Sequence, residues 1–210
     1  KYCDQVVVLN PVIKKIYNDI YKIKDKIHVI EQGFQKPVLK DEITYNSNEC
    51  CQLIYAGGLN KNFRNPMALY EAVSEISGYS MKIFGNISNN LLPKGNDAVK
   101  YHGIIDHNQI LIEYINADII VFIDNAFGYQ VPGKLFEVVS FGKPVLFIYS
   151  NSESPSLLYI KDIPNVVMVQ NDAEKIGETL KEIKNRKMEL VSNDKYRQYE
   201  WGNLSEKYLR

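Results

Sequence analysis

Several features that would classify a chain at once are scarce here. Only three cysteines occur in 210 residues, Cys3, Cys50 and Cys51. Their odd number and the adjacent pair exclude a disulfide framework, and reduced thiols are expected. The three histidines, His28, His102 and His107, are scattered, and no Cys-x-x-Cys or His-x-x-x-His spacing occurs. A structural zinc site is therefore not expected. Net charge is lacking too, because 25 Lys and Arg balance 25 Asp and Glu. With no long-range field, neither nucleic acid nor an anionic membrane is an expected partner, and any anion recognition must be local. No apolar run approaches a bilayer span, and the opening Lys1-Tyr2-Cys3-Asp4 does not read as a signal peptide. The expectation is a soluble, cytoplasmic protein.

What is present is alternation. Short apolar runs of strand length fall at 6–9, 27–31, 52–56, 81–84, 99–102, 119–123, 145–148 and 166–169. Between them lie amphipathic stretches at 12–21, 66–76, 107–116, 134–141, 156–160, 173–183 and 196–208. Alternation at this spacing predicts βαβ units and a doubly wound parallel sheet, an α/β Rossmann-like fold covered on both faces. The pattern breaks from Gln35 to about Cys51, where Lys-Pro and Asn-Ser-Asn-Glu read as a linker or exposed loop.

The most informative run is Gln130-Val131-Pro132-Gly133-Lys134-Leu135-Phe136-Glu137, continuing to Gly142-Lys143-Pro144-Val145. Pro132 suits a helix start, Gly142 its end, and Pro144 prevents continuation before the next strand. A lysine in the first helical turn sits at the positive end of the dipole and calls for an anion. That anion is either a ligand or Glu137 at i+3, as a surface ion pair. The run also contains Gly128-x-x-x-x-Gly133-Lys134, which matches a P-loop until Leu135, which has no hydroxyl to hold Mg²⁺, and Pro132, which removes an amide. An NTPase is set aside. Gly-x-Gly-x-x-Gly is absent, so no nicotinamide or flavin is expected.

In order and spacing the run resembles the nucleotide-sugar-binding helix of GT-B glycosyltransferases of the group 1 or family 4 type. The resemblance implies that Lys134 contacts the donor diphosphate and Glu137 the ribose hydroxyls. It extends to the segment ending Gly33-Phe34, similar to the crossover between the two GT-B domains, and to a closing helix around Tyr199–Tyr208. Three parts follow: residues 1–34, the end of an N-terminal domain; 35–190, a nucleotide-sugar-binding domain; and 191–210, a C-terminal helix.

The first βα loop, Gly57-Gly58-Leu59-Asn60-Lys61-Asn62-Phe63-Arg64-Asn65-Pro66, lets glycine amides approach a ligand and adds Arg64 as a phosphate clamp, with Asn65 a good N-cap. Many family members carry an arginine where Gly58 stands, and Arg64 falls near a lysine position. Tyr129 occupies the place of a second glutamate, so the sugar contact differs; Gly128 and Tyr129 are candidates for it. Ile104 and Ile105, after Gly103, match positions that hold the base. His102 reads as a strand residue. No catalytic residue is assigned, and neither cofactor nor metal is expected. The implied partners are a nucleotide-sugar donor and an acceptor domain preceding this chain, with membrane association only through the full-length protein. The other readings are a nucleotide-sugar epimerase of GT-B architecture and a binding module without turnover.

Overall fold

A computed structural model describes residues 3–35, 50–186 and 194–208. It opens with β1 (Val6–Val8), α1 (Pro11–Tyr21) and β2 (Ile27–Val29), in which the two strands pair in parallel as a sheet of their own. Asn10 caps α1 by accepting from the Ile13 N–H at 3.0 Å, and Pro11 occupies the first turn. Lys22 ends the helix in the left-handed region, φ 55°.

The main body runs β3 (Cys51–Ala56), α2 (Met67–Glu75), β4 (Tyr79–Phe84), β5 (Val99–Tyr101), α3 (His107–Asn116), β6 (Ile119–Ile123), α4 (Lys134–Ser140), β7 (Val145–Tyr149), α5 (Leu157–Ile160), β8 (Val166–Gln170) and α6 (Ala173–Arg186). Its six strands are all parallel in the order β5-β4-β3-β6-β7-β8. The doubly wound α/β fold expected from the alternation is the fold found. The closing stretch is not one helix: a 3₁₀ segment, Asp194–Tyr199, precedes α7 (Trp201–Tyr208). The break falls at Glu200, which bridges to Phe34, so the chain leaves helical geometry to pair with the segment after β2. The linker expected from Gln35 to Cys51, and the boundary expected at 190, fall almost wholly outside the described residues.

Both faces of the sheet are buried, as an all-parallel sheet requires. Successive residues alternate between two cores. Leu53, Tyr55, Ile119, Val121, Leu146 and Ile148 meet α2 and α6 through Leu69, Val73, Ile176 and Leu180. Ile54, Ala56, Ile120, Phe122, Val145 and Phe147 meet α3 and α4 through Ile110, Tyr114, Leu135 and Val138. Each such aliphatic side chain, fully buried, contributes about 1.5–3 kcal/mol. The α1 unit is different: no α1 residue is buried, and Val7, Leu9, Tyr17, Ile20 and Tyr21 leave an apolar face open. No helix among the described residues is long and apolar enough to cross a membrane.

Two close approaches set the geometry around the sheet's carboxyl edge. Trp201 packs against Gly33, where an added Cβ would lie 2.6 Å from the indole ring. Gly85 has φ 123°, and a Cβ there would lie 2.2 Å from the Gly57 carbonyl oxygen. Gly85→Ala combines backbone strain with a clash against backbone and is expected to cost about 2 kcal/mol or more. Urea unfolding of the variant checks this, and wild-type stability would refute the packing argument.

Candidate functional site

The strand order β5-β4-β3-β6-β7-β8 reverses direction between β3 and β6. The loops leaving their carboxyl ends go to opposite faces and open a crevice, the place where ligands of open α/β sheets collect. The β3 loop carries Gly57, Gly58 and Arg64; the β6 loop carries Asp124 to Gly133 and delivers Lys134 as the first residue of α4. Gly57, Arg64 and Lys134 line one small cavity together with Tyr55, Tyr114 and Pro132. Its volume, about 30 Å³, leaves room for roughly one or two waters. It is too small to enclose a diphosphate.

Arg64 is held in place. Its Nε donates to Asn125 Oδ1 at 2.9 Å, and Asn125 Nδ2 donates to the Gln130 carbonyl at 3.3 Å. The guanidinium also lies 5.6 Å from the Phe63 ring centre and bonds Tyr55, whose hydroxyl burial pushes up to about 12. Among the described residues the Lys134 ammonium forms no ion pair. Burial lowers its pKa, opposed by the charge of Glu137. In a seven-residue helix the dipole is short, so desolvation is the stronger reason that Lys134 favours an arriving anion.

Glu137 is not the surface partner of Lys134. It is only 6% exposed, and its Oε2 lies 3.3 Å from His107 Nε2. Its other oxygen, Oε1, is buried without a partner. Burial raises the Glu137 pKa, against the opposing charges of Lys134 and His107.

The expected backbone cradle is only partly available. The Gly57 N–H donates to the Phe84 carbonyl at 2.9 Å, and Gly57 packs on Gly85. That close approach is permitted by Gly85, whereas an added Cβ at Gly57 would meet Tyr55, 2.9 Å from its hydroxyl; the Gly57 N–H, engaged with Phe84, is not free for a ligand, although Gly57 lines the cavity. Gly58 faces open space but for Asn86 O, 3.7 Å from an added Cβ. Ile104 is 75% exposed, while Ile105 packs against the Tyr114 core. Gly128 has φ 97° and open space around it; Tyr129 is exposed, and its carbonyl accepts from Asn10 Nδ2 at 2.8 Å. None of Gly58, Ile104, Ile105, Gly128 and Tyr129 lines the small cavity. Pro66, not the expected Asn65, stands at the N-cap of α2, while Asn65 Oδ1 accepts from the Met67 N–H at 3.1 Å.

Other parts of the site had no motif to announce them. Asp124, buried at the end of β6, accepts from Ser154 Oγ at 2.5 Å and Ser156 Oγ at 2.9 Å, tying the β6 end to the β7–α5 loop. Burial raises its pKa, opposed by those bonds and by Arg64. His107 was visible only as one of three scattered histidines and as the first residue of the 107–116 stretch. A larger hollow of about 510 Å³ lies between Val12, the 152–155 loop, α5 and Met168. Its lining is mostly apolar, and the site is assigned instead by its cations and buried carboxylate. Among the described residues, no three or more His, Cys, Asp and Glu side chains are placed to hold a metal ion.

The sequence matches no protein-family model and no curated protein. Solved structures do match. The lipopolysaccharide outer core galactosyltransferase WaaB, in its apo form, is 13% identical with a TM-score of 0.70 over 99% of this chain and 61% of that one. Anabaena HepE in complex with UDP is 9% identical, TM-score 0.75, over 98% and 62%. A glycosyltransferase from Rickettsia africae is 19% identical, TM-score 0.74, over 98% and 62%. The class these likenesses define is an open, all-parallel α/β domain with its crevice at the strand-order reversal. More particularly, the chain has the fold of the C-terminal half of GT-B glycosyltransferases, and it spans 61–62% of the length of these three neighbours.

The buried carboxyl has a signature in stability. A carboxyl whose folded pKa is raised binds more protons folded than unfolded, so its contribution is full below the ordinary value of 4.5 and is lost as pH rises through the folded value. Unfolding free energy measured from pH 4 to 8 should decline over that window, and Glu137→Gln should flatten the decline. An identical profile in the variant would contradict the burial argument.

Proposed function

We propose that this chain is the donor-binding half of a glycosyltransferase, which moves a sugar from a nucleoside diphosphate sugar to an acceptor in polysaccharide or glycoconjugate synthesis. The observation that carries the reading is the convergence of Arg64 and Lys134 on one cavity at the strand-order reversal, with the buried carboxylate of Glu137 one turn along α4. Anabaena HepE, solved in complex with UDP and with UDP-glucose, supports it by likeness of fold.

In this reading Lys134 and Arg64 bind the diphosphate, Glu137 accepts from a ribose hydroxyl, and Ile104 and Ile105 receive the base. Gly58, Gly128 and Tyr129 border the sugar. As the anomeric bond breaks, negative charge gathers on the departing diphosphate, and two fixed cations in a partly desolvated crevice stabilise it. Neutralisation by these side chains involves no metal cofactor, so nucleotide binding should persist in a chelator. The acceptor site belongs to a preceding domain, which would cover the apolar face of α1 and β1. Catalysis then needs both halves, in the cytoplasm, and any membrane association comes through the rest of the protein.

Calorimetric titration with UDP, GDP and ADP tests the reading. Lys134→Ala should weaken the preferred nucleotide about tenfold or more while changing unfolding free energy by less than about 1 kcal/mol. Unchanged affinity would sink the phosphate role. Glu137→Gln should weaken the nucleotide but leave pyrophosphate binding intact; equal loss of both would make Glu137 a structural group.

A further inference from the structure

Glu137 has two carboxylate oxygens in different situations. Oε2 faces His107 Nε2 at 3.3 Å. Oε1 is buried with no partner, a situation that costs about 1–3 kcal/mol unless a donor arrives. A carboxylate free to turn about its last torsion would offer either oxygen, or both at once. Here one is engaged.

His107 is itself fixed by the start of α3. Asp106 Oδ1 accepts from the Asn108 N–H at 2.8 Å, and Gln109 Oε1 accepts from the Asp106 N–H at 3.2 Å, a reciprocal capping box around His107. His107 also follows the 103–105 loop directly, with Ile104 exposed and Ile105 packed inward. Its side chain stays 52% exposed while that of Glu137 is 8% exposed, so the imidazole is the more accessible member of the pair. The other groups facing Glu137 are Lys134 on its own helix and Tyr114 on α3.

We propose that His107 is a positioning residue that holds Glu137 through Oε2 and thereby presents a single acceptor, Oε1, to one hydroxyl of a ribose lying against the 103–105 loop. The assignment rests on the nucleotide reading above. It makes the site selective for one ribose hydroxyl, since a ligand lacking that hydroxyl leaves Oε1 buried and unpaired, whereas a ligand lacking the other loses little.

The test is titration of this chain with whichever of UDP, GDP and ADP binds tightest, with its 2′-deoxy and 3′-deoxy forms, and with pyrophosphate. Wild type should lose about tenfold or more with one deoxy form and less than about threefold with the other. His107→Leu should bring the two deoxy forms within about twofold of each other while leaving pyrophosphate affinity unchanged. His107→Gln, which restores an N–H donor, should recover most of the discrimination; a purely structural role would not be rescued in this ratio. Retained discrimination in His107→Leu overturns the positioning role, as does equal loss of affinity for both deoxy forms in wild type. Two outcomes fall on the underlying reading. Wild type that binds neither nucleotide nor pyrophosphate, or that ignores Lys134→Ala, overturns the diphosphate site. Wild type that binds the nucleotide but neglects both hydroxyls overturns the ribose role of Glu137 and this assignment together.

Discussion

The pairing of β6 with β3 is the constraint on which the rest of the site depends. The register Leu53 to Ile119 and Ile54 to Ile120 brings together two strands that lie far apart in sequence. It is locked at its entrance, where the Asp118 carboxylate accepts from the Gln52 N–H at 2.7 Å and the Asp118 N–H donates to the Gln52 carbonyl at 3.0 Å. Buried Lys143 reinforces this entrance, its Nζ donating to the Ala117 carbonyl at 2.6 Å. A slip of one residue would exchange the two cores, since every second side chain serves the opposite face. With register held at the amino ends, the carboxyl ends of β3 and β6 must diverge at one place. Arg64 and Lys134 approach each other only because of that divergence.

The charges placed there work against the fold. Two cations and a carboxylate are withdrawn from water, and burial dominates the pKa shifts of both Lys134 and Glu137. Partial neutralisation among Lys134, Glu137 and His107 does not remove the desolvation term. Apolar residues of similar size would fill the same space at lower free energy, which makes the cluster a candidate for function rather than for stability. Lys143 is the instructive contrast. It comes from the same motif and is more fully buried, at 3% exposed, yet its ammonium is bonded to a backbone carbonyl and serves strand registration.

Much of this was legible in the chain. The strands and helices of the main body appear within a few residues of where alternation places them, because both-face burial forces continuous apolar runs and short loops force abrupt punctuation. Lys134, Glu137 and Arg64 were readable because their spacing on a helix or a βα loop decides where they go. The partner of Glu137 was not. His107 lies thirty residues upstream on another helix, and only the tertiary approach of α3 to α4 joins them. The engagement of the Gly57 N–H was hidden for a related reason. Its acceptor, the Phe84 carbonyl, lies at the end of the neighbouring strand β4. The closing helix was drawn too long because the pairing of Glu200 with Phe34 joins residues far apart in sequence.

The β6–α4 loop, finally, is prepared before any ligand arrives. Four contacts hold it, one within the loop and three from two directions outside it: Asn125 to Gln130, then Arg64 to Asn125 and the Ala126 N–H to the Phe63 carbonyl at 2.9 Å from the β3 loop, and Asn10 to the Tyr129 carbonyl. Asn10 is fully buried and also caps α1, so one side chain joins the first helix of the chain to the loop beside the crevice. Gln32 makes a second such join by lying against Gly133. A loop ordered by the protein contributes little ordering entropy to binding, and affinity then reflects the charges rather than the folding of the loop. The same tethers mean that the loop's position is set partly by the α1 unit. Any displacement of that unit relative to the six-stranded sheet would be transmitted through Asn10 to Tyr129 and through Gln32 to Gly133, immediately before Lys134.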